Sequence, residues 1–310
     1  MNTKIKLVFF GTPDIAANTL RALSDAGYTI SAAVTQPDKL TGRNRTLTQP
    51  PVKITAQELG IPVLQPATLK DGAFLGELQR LQPDLCVVIS YGKIFPASFF
   101  EIPPLGFLNI HFSLLPAYRG ASPLPTAIMN GDRESGVTIA LLAPEVDSGP
   151  ILAQERLSIP QEKYYPEILN EYAQKGIQLL LEVLPRCLSG EVKPQEQDRS
   201  RATFAKTLTW QDGKIDWDRP AEQIFNQIRA LNPEPGTWTT WKDKILRILK
   251  AHPSVGSLKA GQIAKMDDSI AVGTGTVPLA LDLIQLEGKS PTAPKEFING
   301  HPDFIGTTLR

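Results

Sequence analysis

Across residues 1–190, short apolar runs rich in β-branched and aromatic side chains alternate with segments of helical periodicity. Strand-like runs fall at 5–10, 29–34, 85–90, 105–110 and 137–142. Helical patterns occupy 13–26, 51–59, 69–81, 122–130 and 164–184. A strand that returns parallel to its predecessor needs a crossover, and a helix is the usual one. The alternation therefore predicts an α/β fold, a Rossmann-like, mostly parallel sheet with helices on both faces. The first helix has clear start signals: Thr12 as N-cap, Pro13 at the first helical position and Asp14 in the first turn.

The pattern changes after residue 190. Residues 189–201 are polar and charged, contain Pro194 and lack apolar periodicity, a linker composition. Beyond them, β-like runs at 238–241, 245–249, 261–264, 270–272 and 279–286 are separated by Gly, Pro and Asp turns. These features predict a domain over 1–190, a linker over 191–205 and a C-terminal β-barrel domain over 206–310, similar to an oligonucleotide-binding (OB-like) barrel. A chain of 310 residues can bury two such cores.

Composition narrows the function classes. Basic and acidic side chains balance at 32 each, so an anionic partner must be held by a local patch and not by overall charge. Cys86 and Cys187 have neither metal-ligand nor disulfide spacing, which suits a reducing compartment. The apolar run after Lys4 and Lys6 is too short for a signal peptide and ends at Gly11-Thr12-Pro13-Asp14. No segment approaches the roughly 20 apolar residues of a membrane span, and a cytoplasmic protein is expected. A dinucleotide site is disfavoured because Gly11 stands alone and Pro13 removes an amide donor.

The chemistry-bearing stretch is Asn109-Ile110-His111-Phe112-Ser113-Leu114-Leu115-Pro116, followed later by Asp147-Ser148-Gly149. Asn109 and His111 are two residues apart near a strand's C-terminal end, so they point to one face. Ligands of open α/β sheets bind at that end of the strands. Each residue also has a plainer reading: a satisfied structural histidine at 111, a turn aspartate at 147 and core packing for Leu114 and Leu115. Arg119 reads either as a ligand for a carboxylate or phosphate, or as an ordinary surface arginine.

These motifs resemble the folate-dependent formyltransferases, within them the branch acting on methionyl-tRNA. The resemblance spans nearly the whole chain. It includes Phe10-Gly11-Thr12-Pro13-Asp14, Thr35-Gln36-Pro37-Asp38, Tyr91-Gly92-Lys93-Ile94-Phe95-Pro96, the His111 block and Asp147. Later it takes in Ile215-Asp216-Trp217, Asn232-Pro233 and Phe297-Ile298-Asn299-Gly300. Phe112 and Glu234 depart from the usual pattern.

The resemblance implies formyl transfer from 10-formyltetrahydrofolate, a co-substrate, to the amino group of methionyl initiator tRNA, without a metal or a membrane. Asn109, His111 and Asp147 would be catalytic, and Ser113, Leu114, Leu115 and Pro116 would line the folate pocket beside residues 89–95. Lys39, Arg43 and Arg45, in a basic loop over 36–53 that is structureless by pattern, would meet the tRNA, together with Lys206. A second basic run, Lys242, Lys244, Arg247, Lys250, Lys259 and Lys265, would either bind phosphates or form a solvated face. A monomer is expected. The competing readings are a formyltransferase for a small amine, which needs neither basic loop nor barrel, and a folate- or RNA-binding module without activity.

Overall fold

A computed structural model describes residues 5–41, 46–70 and 72–310. In chain order the elements begin with β1 (Lys6–Gly11), α1 (Asp14–Asp25), β2 (Thr29–Val34), β3 (Lys39–Thr41), β4 (Thr46–Thr48), α2 (Pro51–Glu58) and β5 (Val63–Leu64). They continue with α3 (Ala73–Leu81), β6 (Leu85–Ile89), β7 (Phe107–His111), β8 (Arg119–Gly120), α4 (Pro123–Met129), β9 (Glu134–Leu141) and β10 (Ile151–Ser158). Then come α5 (Tyr165–Leu188), β11 (Phe204–Ala205), α6 (Ala221–Leu231), β12 (Trp238–Trp241), β13 (Lys244–Pro253), β14 (Ile263–Met266), β15 (Ser269–Val272), β16 (Leu279–Leu286) and α7 (Pro294–Gly300). The chain divides into two compact units, one comprising Met1–Pro123, Ser135–Leu157 and Asn170–Ala205, the other Leu124–Glu134, Ser158–Leu169 and Lys206–Arg310.

The first unit is built on a seven-stranded sheet of order β10-β9-β7-β6-β1-β2-β5. Pairings from β5 through β2, β1 and β6 to β7 are parallel, and β9 runs antiparallel to β7. Alternation along the strands assigns helices to both faces. Val8 and Phe10 share a cluster with Phe74 and Leu78 of α3, Tyr91, Phe95 and Phe107. Phe10 packs inside it, with ring centroids 5.2 Å from Phe95 and 5.4 Å from Tyr91. On the opposite face, Gly176 of α5 approaches Ile110 so closely that a Cβ there would be 3.0 Å from Ile110 Cγ2. Each fully buried aromatic or aliphatic side chain contributes about 1.5–3 kcal/mol.

Two local expectations are corrected. Thr12 does not cap α1; its hydroxyl donates to the Tyr91 carbonyl at 3.3 Å, and Pro13 occupies the capping position instead. Gln36 donates to the same carbonyl at 2.9 Å, so the loops after β1, β2 and β6 meet at Tyr91. The segment 36–53 is not structureless: β3 and β4 form an antiparallel hairpin and α2 begins at Pro51. Residues 42–45 lie outside the described residues.

In the second unit, β12-β13-β16-β15-β14 form an antiparallel, barrel-like sheet around a core that includes Trp217, Ile224, Ile228, Ile248 and Leu281. Two buried polar side chains lock α6 in place. Arg229, fully buried, donates to Asn226 Oδ1, Pro160 O and Lys163 O. Asn232 donates to Ile228 O, Thr237 Oγ1 and Ile248 O. Among the described residues, no helix is long and apolar enough to cross a membrane.

Candidate active site

Asn109 and His111 sit on β7 in register with Ala140 and Thr138 of β9. The buried His111 ring has its Nε2 2.9 Å from Tyr118 O. A carbonyl can only accept, so Nε2 carries the hydrogen and Nδ1 is the nitrogen left for chemistry. Nδ1 lies 3.6 Å from Asp147 Oδ2, and Asn109 Nδ2 lies 3.5 Å from Asp147 Oδ1. The backbone N–H of Gly120 donates to Asp147 Oδ2 at 2.8 Å. Two of the side chains singled out in the sequence, Asn109 and His111, thus converge on the third, the Asp147 carboxylate.

Strain concentrates around this cluster. Ser90, Tyr118 and Asp147 have φ of 47°, 58° and 50°, a left-handed conformation that non-glycine residues avoid. Residues well downstream hold it. Thr203 Oγ1 accepts from Tyr118 N at 2.8 Å, Arg119 N donates to Thr203 O at 2.8 Å, and Ala121 N donates to Ala205 O at 3.0 Å. β8 and β11 accordingly pair in parallel. Farther back, Ile151 and Gln195 exchange two backbone bonds of 2.7 and 2.8 Å.

Arg119 fits neither expectation. It is 2% exposed, so it is no surface residue, and its guanidinium is engaged within the protein. Its Nε and Nη2 donate to Gln197 Oε1 at 3.0 and 2.8 Å. Gln197 in turn donates to Asp147 O at 2.8 Å and Gly149 O at 2.7 Å. Nothing in the sequence marked Gln197, which stands in a polar run between Glu196 and Asp198. Only the pairing of 195–205 with the rest of the first unit reveals it.

Residues 4–184 match the formyl transferase family, and 207–302 match the formyl transferase C-terminal domain. The chain is 43% identical over 306 residues to the methionyl-tRNA formyltransferase of Chloroflexus aurantiacus, covering 97% of this chain and 99% of that one. The chain belongs to the methionyl-tRNA formyltransferase family. It is also 40% identical to the family member of Moorella thermoacetica, over 98% of this chain and 99% of the other. Among solved structures, HypX from Aquifex aeolicus in complex with tetrahydrofolic acid superposes with a TM-score of 0.71 at 16% identity. That match covers 98% of this chain, which spans about half (48%) of HypX. An N-formyltransferase from Helicobacter canadensis, in complex with folinic acid and dTDP-3-aminofucose, gives 0.68 at 20% identity, covering 89% of this chain and 99% of the other. At these identities the two structures speak to the fold alone.

The four residues expected at the folate pocket of a family member differ in access. Ser113 is fully buried, its hydroxyl donating to Ala117 O at 2.6 Å, and Leu115 is nearly so. Leu114 and Pro116 are half-buried, and with Leu115, Ala117, Gln154, Arg156 and Arg201 they line a cavity of about 280 Å³. Across the strand ends, burial pushes the Tyr91 phenol well above its usual range. Lys93 donates to Pro66 O and Ala67 O at 2.6 and 2.9 Å; burial, then the nearby Lys39, pulls its pKa down. Ile94 is largely exposed.

Of the residues expected to meet tRNA, Arg43 and Arg45 lie outside the described residues. Lys39 is exposed and donates to Gln36 Oε1 at 2.5 Å. Behind it, Asp38 is gripped by Gln65 and Lys53, whose hydrogen bonds, Gln65's first, hold its carboxyl below the usual range. Lys206, in the second unit, is exposed and paired with Asp212. In the second basic run, Lys242 pairs with Asp303 and Arg247 donates to Pro233 O, while Lys244, Lys250, Lys259 and Lys265 are exposed.

Proposed function

We propose that the protein transfers the formyl group of 10-formyltetrahydrofolate to the α-amine of methionyl initiator tRNA. The observation that carries this reading is the convergence of Asn109 and His111 on Asp147 at 3.5 and 3.6 Å. The 43% identity with a methionyl-tRNA formyltransferase supports the choice of substrate. The amine attacks the formyl carbon, forming a tetrahedral intermediate with negative oxygen and positive nitrogen. Asn109 Nδ2 is one donor for that oxygen and the His111 ring, through Nδ1–H in its doubly protonated form, is the other, and fixed donors cost no reorganisation as charge develops. Asp147 accepts the proton that the attacking amine must lose. Asp147 passes that proton on to N10 of the folate as the carbon–nitrogen bond breaks, so the carboxylate is restored and the carbonyl re-forms on the amino acid. The amine is itself the nucleophile, so no covalent enzyme intermediate is required.

Two features favour a tRNA over a small amine. The basic residues Lys39, Arg43, Arg45 and Lys206, and the exposed lysines of the barrel-like unit, suit an electrostatic partner. A small amine needs neither. Incubating the protein with 10-formyltetrahydrofolate and charged initiator or elongator methionyl-tRNA, and assaying N-formylmethionine, tests the reading. Formylation of initiator methionyl-tRNA in preference to elongator is expected. Formylation of an amino sugar nucleotide in the absence of any product on tRNA would overturn it.

A further inference from the structure

We infer that Gln197, braced by Arg119, is a positioning residue that holds Asp147 in the attitude its chemistry requires. The inference deepens the proposed reaction and rests on reading Asp147 as its carboxylate.

Within the Asp147-Ser148-Gly149 loop, only Ser148 is tied locally, its N–H and hydroxyl donating to Glu145 O at 3.3 and 2.9 Å, while the carbonyls on either side of it are held from afar. Asp147 has φ of 50°, a conformation that costs a non-glycine residue on the order of 1–3 kcal/mol and persists only when its surroundings enforce it. The Gln197 carboxamide supplies that enforcement. Its two N–H groups go to Asp147 O and Gly149 O, bracketing Ser148. Its oxygen takes two bonds from the Arg119 guanidinium. Both donors and both acceptor positions are therefore in use. Turning the amide over would set its oxygen against two carbonyls and its nitrogen against a guanidinium, so the orientation is unique.

The remaining contacts converge on the same turn. Gly120, next to Arg119, donates its N–H to the Asp147 carboxylate. Glu145 Oε1 stands 3.8 Å from Arg119 Nη1. A Cβ on Gly149 would be 2.0 Å from Leu141 O, so the turn also abuts the end of β9. Arg119 and Gln197 are 2% and 8% exposed. With no hydrogen-bonding capacity to spare for substrate, Gln197 acts through Asp147.

Gln197→Glu tests this. Glutamate keeps the length and offers Arg119 a full ion pair, but it has no hydrogen to donate and opposes two carbonyl oxygens. In the otherwise unchanged enzyme, kcat with both substrates saturating should fall about tenfold to a hundredfold, the scale of a small misplacement of a reacting group. KM for 10-formyltetrahydrofolate and for methionyl-tRNA should stay within about twofold. In an Asp147→Asn background the same substitution should leave the residual single-turnover rate unchanged. Gln197→Asn, one methylene too short to span both carbonyls, should show the same pattern and serves if the glutamate variant does not fold. An equal loss in both backgrounds, or a raised KM with kcat preserved, overturns the inference. Full turnover by Asp147→Asn alone would instead overturn the role of Asp147, whatever the Gln197 variants do.

Discussion

His111 donates through Nε2 to the Tyr118 carbonyl at 2.9 Å, which turns Nδ1 toward Asp147. Tyr118 is held for this purpose in a left-handed conformation, φ 58°, by bonds to Thr203. The neutral ring should therefore be the Nε2–H tautomer, a state that its two ¹⁵N shifts distinguish. His111→Ala should lower formyl transfer by about 10²–10³, the usual cost of losing one preorganised donor, while tRNA and folate binding persist. Unchanged turnover would remove the ring from the chemistry.

Gly120 should tolerate no side chain. It has φ of 117°, and a Cβ would stand 2.4 Å from Ala205 O in the β8–β11 pairing. Gly120→Ala must therefore break that pairing or adopt a strained backbone, at a cost on the order of 1–3 kcal/mol or more. Its amide also binds the Asp147 carboxylate, so activity should fall with stability. Thermal unfolding that matches the parent protein would contradict the close approach.

In the second unit, Asn232→Ala removes one carboxamide whose two N–H groups are shared among Ile228 O, Thr237 Oγ1 and Ile248 O, of which Ile248 O keeps the Thr237 hydroxyl as a donor. Buried acceptors left without donors cost about 1–3 kcal/mol. Urea unfolding followed by tryptophan fluorescence should show the midpoint falling with the slope retained. A midpoint within error of the parent would mean that the orphaned acceptors find other donors.

Asp212 has its pKa lowered from 3.8 to about 2, first by the hydrogen bond from Lys206, then by the Thr209 amide. A depressed carboxyl stabilises the folded form above its unfolded value and loses that contribution as pH falls through the folded value. The window is therefore from 3.8 down to about 2. Lys206→Met should raise the Asp212 pKa toward 3.8 in a carbon-detected NMR titration. Should the titration midpoint stay put, the ammonium is not the principal cause.

Much of the fold was legible because burial writes a period into the chain. β1, β2 and β6 are apolar almost throughout, and a strand covered on both faces shows that as an unbroken run. β10 went unread because its side chains are only half-buried or exposed, and that environment admits Gln154, Glu155 and Arg156 among the apolar residues. The β3–β4 hairpin was hidden for a related reason, since Leu40 and Leu47 are exposed and no core selects its pattern. Helix α5 runs past Pro185 to Leu188 because a proline in the last turn lacks only one helical bond.

The candidate site divides in the same way. Asn109 and His111 could be paired from the sequence alone, because alternation along one strand is a local property of the backbone. Asp147 entered through resemblance, as its spacing is equally that of a turn. Arg119 and Gln197 could not be read: 78 residues separate them, and each lies in a stretch whose composition suits the surface. What the chain's order determined was period, and with it the strands, the helices and the face carrying Asn109 and His111. Which distant polar groups would be buried together, and hence how Asp147 is held, was decided only by the tertiary structure. Hydrogen bonds between side chains depend on geometry that closes after the sheet has formed, and no local pattern encodes it.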